Sequence, residues 1–121
     1  MAKDPWKKLM QNVKLCAQGR RGAPAQQIPK KLTLTIQDLK DQFEIQNRKC
    51  YWFDFELNEE HIFEVHHPLA MSVDRIDNSR GYEKDNFVIC CRFANLGRRN
   101  ASEQQMNEVI KKLTLESKLD S

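Results

Sequence analysis

Ser72-Val73-Asp74-Arg75-Ile76-Asp77-Asn78-Ser79-Arg80-Gly81-Tyr82-Glu83-Lys84-Asp85-Asn86 runs from an apolar segment into a polar, glycine-bearing turn. A second apolar segment, Phe87-Val88-Ile89-Cys90-Cys91, follows at once, and then a charged run with Asn95 in its middle. The pattern predicts strands at 73–75 and 87–90, joined by a hairpin loop over 77–85, with a short helix over 91–99. The bland account is a hairpin whose Asp and Asn residues only make turns, which they do well. The alternative is chemical. Phosphodiester hydrolysis needs a cation to stabilise the phosphorane and the leaving oxygen, and a base to activate water. A hard cation such as Mg²⁺ takes oxygen ligands, few of them from protein. Asp74 and Asn95 supply such oxygens if the second strand and the helix fold back on the first.

Working outward, Asp4-Pro5 starts a helix, because Asp caps free N–H groups and Pro suits the first helical position. Trp6, Met10, Val13 and Ala17 then share one face, and Gly19, Gly22 and Pro24 close the segment. Residues 19–31 read as a basic loop, so 1–31 is expected to be a basic helical arm. Thr35 with Asp38 forms a capping arrangement for a helix ending near Asn47, with Ile36, Leu39 and Phe43 on its apolar face. The segment 51–55 is aromatic and strand-like, Asn58-Glu59-Glu60 is a turn, and 62–66 reads as another short strand. Ser102 with Gln105 is a capping box for a last helix carrying Met106, Val109, Ile110 and Leu113 on one face.

With 121 residues, one domain is expected. Hydrophobic residues make up 40% and charged residues 31%, a balance that argues against disorder. No apolar run approaches the roughly 20 residues a membrane span needs, and no signal-peptide core opens the chain, so a cytoplasmic location and no membrane partner are expected. Net charge is +3, but its distribution says more: basic segments at 1–35 and 69–100 flank an acidic one at 36–68. Such a pattern suits phosphate contacts from Lys7, Lys8, Lys14, Arg20 and Arg21 in the arm and from Arg92, Arg98 and Arg99 after the hairpin.

The stretch 72–86, with its sequel through Arg99, resembles the SVDRID-type branch of the HNH (ββα-metal) nucleases, a phage and viral homing-endonuclease-like group. The resemblance extends to Leu34-Thr35-Ile36-Gln37-Asp38-Leu39 and Gln46-Asn47-Arg48-Lys49-Cys50-Tyr51, and covers roughly residues 32–113. It implies an α+β fold with a ββα-metal core and flanking helices, a nuclease domain over 32–121, DNA as partner and Mg²⁺ or a similar ion as cofactor. By position, Asp74 is the metal-binding Asp, Asn86 the residue that braces the loop, and Asn95 the second metal ligand. One such site cuts one strand; a double-strand break implies a homodimer or sequential nicks. If the source is viral, the compartment is the host cytoplasm.

The sequence departs from that family at Arg75, which stands where a general-base His is usual. Arg stays protonated near neutral pH and is expected to hold the scissile phosphate instead. The base is then His67, Asp77 or a metal-bound water; an imidazole with a pKa near about 6.5 suits the task. A rival alignment starts the motif at His66-His67, and keeps Asn86 and Asn95. The family's paired Cys-x-x-Cys knuckles survive only as Cys50 and Cys91, with Phe53 and Ala94 in the other places. Two thiolates do not close a tetrahedral site, and Cys90 should face away from Cys91, so no structural zinc is expected. Packing of Trp52, Phe53 and Phe93 is expected to take its place. The competing reading is a DNA-binding module on the same scaffold whose catalysis has decayed.

Overall fold

The computed structural model describes residues 3–19 and 30–119. Its described elements are α1 (Pro5–Gln18), α2 (Ile36–Ile45), a 3₁₀ helix (Glu59–Phe63), β1 (Met71–Arg75), β2 (Phe87–Cys91), α3 (Arg92–Arg98) and α4 (Glu103–Leu119). The fold is therefore mixed α+β, with four α-helices around a two-stranded antiparallel sheet among the described residues. None of these helices is long and apolar enough to cross a membrane.

The helix starts follow local chemistry. The Asp4 carboxylate accepts from the backbone N–H of Trp6 at 2.9 Å, and Pro5 opens α1. Gly19 ends it at φ 76°, a left-handed conformation that glycine reaches without a Cβ clash. Thr35 and Asp38 form a reciprocal capping box on α2, and Ser102 and Gln105 do the same before α4. Along α1, Trp6, Leu9, Met10, Val13 and Ala17 are buried. This face is part of the same core as α2 and the sheet, and Trp6 meets Phe43 edge-on at 5.2 Å between ring centroids. The helix of the basic arm expected over 1–31 is thus built into the fold, because its apolar stripe needs a partner. Its lysine-bearing side, with Lys7, Lys8 and Lys14, stays exposed, as do Leu15 and Cys16.

β1 and β2 pair in the register Met71↔Cys91, Val73↔Ile89 and Arg75↔Phe87. Every residue of β2 is buried, so the hairpin is covered on both faces. Its outer edge is closed by Gln46, whose side-chain amide accepts from the Ile89 N–H at 2.9 Å and donates to the Ile89 carbonyl at 2.7 Å. The Tyr51 N–H, which donates to the same carbonyl at 3.0 Å, and the Cys50 sulfur, which accepts from the Cys91 N–H at 3.3 Å, cover the same edge, so no third strand is needed there.

Three expectations fail. The segment 51–55 is a tight turn closed by Cys50 N–H to the Phe55 carbonyl at 2.8 Å, with Asp54 at φ 58°. Its aromatic residues serve burial (Trp52 is in the core) rather than strand pairing. The segment 62–66 is the end of the 3₁₀ helix and the turn after it, since Asn58 caps the Glu60 N–H and His66 sits at φ 57°. On α4, Met106 is buried and Ile110 packs partly on the core, but Val109 and Leu113 are exposed, so among its described side chains that helix engages the domain through its first turns.

Gly81 lies where the loop passes the Lys31 backbone: the Tyr82 N–H donates to the Lys31 carbonyl at 2.7 Å, and Thr33 N–H returns a bond to Tyr82. A Cβ on Gly81 would overlap that carbonyl oxygen, which belongs to backbone and does not swing away. Gly81→Ala should cost about 1–3 kcal/mol, the usual range for overpacking. Denaturant unfolding at unchanged m value checks it, and wild-type stability would show that the Lys31 segment is free to move.

Candidate functional site

The hairpin loop is held by its own polar side chains. Asn86 accepts from the Asp77 N–H at 2.8 Å and donates to the carbonyls of Asp77 (3.1 Å) and Gly81 (2.9 Å). It is almost fully buried, so these bonds tie both ends of the loop in a dry setting. Asp77 accepts from the Ser79 N–H (2.9 Å) and hydroxyl (2.6 Å), which hold its carboxyl below the usual carboxylate range. A carboxylate stabilised in this way is a weaker base. Arg75 donates to the carbonyls of Asn78 (2.9 Å) and Arg80 (2.8 Å) and lies over the Tyr82 ring. It is used inside the loop, and the phosphate contact expected of it would have to come from its remaining N–H groups.

Asp74 is buried, and both carboxylate oxygens are occupied. Trp52 Nε1 donates to one at 2.9 Å, and Arg98 Nη1 lies 2.9 Å from each. Burial pushes this carboxyl up, while the Trp52 hydrogen bond and the Arg98 charge pull it back. Arg98 also donates to the carbonyls of Arg75, Ile76 and Ala101, each at 2.9 Å, and lies against the Trp52 ring. The sequence places Arg98 among the DNA-binding cations, and the structure corrects this. Its side chain is only 4% exposed, because α3 lays it across the end of β1, so it offers nothing to a phosphate at the surface.

Asn95 is differently placed. Its Nδ2 donates to the Ser72 hydroxyl at 2.7 Å and the Val73 carbonyl at 3.3 Å. No hydrogen bond joins it to Asp74 among the described residues. Its Oδ1 accepts none there either, and no buried side-chain oxygen lacks a partner, so that oxygen is reached by solvent. A cavity of about 460 Å³ opens between α1, the 3₁₀ segment and β1, lined by Asn12, His67, Ser72, Tyr82, Arg92 and Asn95 among others. His67 and Asn95 therefore line the same cavity, while Asp74, Arg75, Asp77 and Asn86 do not. The His67 ring is itself engaged: Nδ1 accepts from the Leu69 N–H at 3.0 Å, and Nε2 lies 3.8 Å from Glu64.

Of the remaining expected DNA contacts, Lys7, Lys8 and Lys14 are exposed along α1, Arg99 is exposed and Arg92 half-buried. Arg20 and Arg21 lie outside the described residues. Phe93, expected to replace a zinc by packing, is exposed. Cys50 and Cys91 do meet: the Cys91 N–H donates to the Cys50 sulfur at 3.3 Å. The Cys91 thiol, with backbone N–H groups, pulls the Cys50 thiol down, and Cys91 is pushed up in turn. A group of metal-capable side chains that sequence reasoning misses is His61, Glu64 and His67. Its signal is the regular spacing His61-x-x-Glu64-x-x-His67, which the strand-like composition of 62–66 hides.

Comparison with protein-family models, curated proteins and solved structures finds no match to this chain.

Removing the Asp74 carboxylate strands a buried guanidinium. Asp74→Ala should destabilise the fold by about 3–5 kcal/mol, the usual cost of breaking a buried ion pair from one side. Asp74→Asn, which keeps an acceptor for Trp52, should cost less. Chemical unfolding of both variants checks this, and wild-type stability in Asp74→Ala would mean that the pair is not closed in solution.

Proposed function

We propose that the chain is a ββα-metal (HNH-type) endonuclease that hydrolyses DNA phosphodiester bonds with Mg²⁺ or a similar divalent cation. The observation that carries this reading is the unit from Met71 to Arg98. Its antiparallel hairpin has a loop braced by Asn86, and the helix after it brings Asn95 against β1 with a solvent-reached oxygen. Asn95 lines a cavity together with His67 and Arg92. A cation bound there would stabilise charge on a phosphate, Arg92 would add a second positive contact, and His67 would serve as base once its ring left Leu69. The exposed lysines of α1 supply non-specific phosphate contacts.

A specific observation favours a second reading, a DNA-binding module on the same scaffold with impaired catalysis. Asp74, the residue the resemblance makes a metal ligand, has no free oxygen while Arg98 and Trp52 hold it. Binding needs only the basic surface; cleavage through Asp74 needs that ion pair to open.

Nicking of supercoiled plasmid in Mg²⁺ separates the two. The endonuclease reading expects metal-dependent nicking, with Asn95→Ala and His67→Ala slower by about two to four orders of magnitude, the range for loss of a positioned acid–base group. DNA affinity should be nearly unchanged in both. Intact binding with no nicking in any divalent cation would leave the binding module. Replacing Lys7, Lys8 and Lys14 with Ala should weaken binding equally on all sequences. It should also flatten the salt dependence by about 0.9 for each phosphate no longer neutralised. An unchanged slope would remove α1 from the interface.

A further inference from the structure

The 3₁₀ helix ends in two consecutive three-residue turns. Glu64 N–H donates to the His61 carbonyl at 3.0 Å, and His67 N–H to the Glu64 carbonyl at 3.3 Å. The turns bring His61, Glu64 and His67 together in a column, with the two imidazoles stacked 3.8 Å apart and tilted by 19°. The Glu64 Oε2 stands beside both rings, 2.6 Å from His61 Nδ1 and 3.8 Å from His67 Nε2. The candidate ligand atoms all lie within 4.8 Å of one another. Each imidazole side chain is about a quarter exposed, at 26% and 24%, so an ion from solvent has access.

We propose that His61, Glu64 and His67 bind a borderline transition-metal cation of the Zn²⁺ class. Two imidazoles and one carboxylate are a donor set for Zn²⁺ rather than for Mg²⁺, which takes oxygen. Three protein ligands leave a fourth position for water or an exogenous ligand. Glu64 and His67 border the cavity that Asn95 lines, so the ion stands at its edge. Because the Leu69 N–H donates to His67 Nδ1, the neutral ring carries its proton on Nε2. Coordination through Nε2 moves that proton to Nδ1 and breaks the hydrogen bond from Leu69. At His61 the proton facing Glu64 passes to the other nitrogen. The rings must also fan apart from their stack to aim both lone pairs at one ion. The site is therefore adjusted on binding rather than preformed. A metal held through His67 would occupy the ring that the nuclease reading uses as base, so the two roles compete for it, but metal binding is read without any cleavage assay.

The test is titration of the full chain, washed with chelator, with Zn²⁺ by calorimetry and with Co²⁺ by visible absorption. The expected result is one ion per chain and a four-coordinate Co²⁺ spectrum without a sulfur charge-transfer band. Excess Mg²⁺ should not displace it. His61→Ala and Glu64→Gln should each weaken binding at least about tenfold, since even loss of an outer-shell partner costs that much. Glu64→Gln alters an exposed side chain, so it keeps the test valid if His61→Ala fails to fold. No stoichiometric binding by the wild type, equal affinity in the variants, or a sulfur band pointing to Cys50 and Cys91 would each overturn the proposal.

Discussion

Arg98 holds the hairpin and its helix in one arrangement. A buried guanidinium loses several kcal/mol of hydration, and only good geometry with nearly every N–H satisfied offsets that loss. Here Nη1 meets both oxygens of Asp74 and the Arg75 carbonyl, Nη2 meets Ile76, Nε meets Ala101, and the Trp52 ring covers a face. The acceptors come from the end of β1, the first residues of the loop and the junction between α3 and α4. One side chain therefore fixes where α3 crosses the hairpin, and with it the position of Asn95 against Ser72. Trp52 joins the 50–55 turn to the same point through its bond to Asp74.

The remaining polar residues of the loop are used in the same way. Arg80 pairs with Glu83 and Asp85, Asn78 donates to the Arg99 carbonyl, and Asn86 ties Asp77 to Gly81. A long loop with little apolar content must satisfy its backbone somewhere, and a small domain has little core to cover it. Residues that resemble a catalytic motif thus have a structural role whether or not they also have a chemical one. Asn95 is the exception: its Nδ2 fixes its position, and its oxygen is left over.

Much of this is legible in the sequence where the signal is local. The caps at Asp4, Thr35 and Ser102 are side-chain bonds to backbone within three residues, so composition and spacing suffice. The hairpin and α3 are legible because turn residues punctuate apolar runs. Other features depend on neighbours far along the chain. Arg98 reads as a surface cation until Asp74 and Trp52 are brought to it, and charge alone predicts exposure. The lysines of α1 suggest an arm, but they report only its outer side. The segment 51–55 has strand-like composition, which reflects fitness for a half-buried surface and not a commitment to pairing. The His61-Glu64-His67 spacing does not fit the two-residue period of a strand, and a segment read as strand from its composition hides it.

The two functional readings differ in what must move. A cation at the Asn95 oxygen needs no change in the hairpin. A cation that also takes Asp74 must displace Arg98, and the guanidinium would then lose its carboxylate while keeping the three carbonyls that hold it in place. Its charge would stay a few ångströms from the incoming ion, and like charges at that distance in a buried setting repel strongly. The displacement becomes favourable only if an anion enters with the metal, and a DNA phosphate is such an anion. Cleavage through Asp74 would then be coupled to substrate binding, with metal and phosphate arriving together. A protein that only binds DNA needs none of this and would keep the Asp74–Arg98 pair closed throughout. The ion pair that stabilises the free fold is thus also the barrier that any chemistry at Asp74 has to overcome.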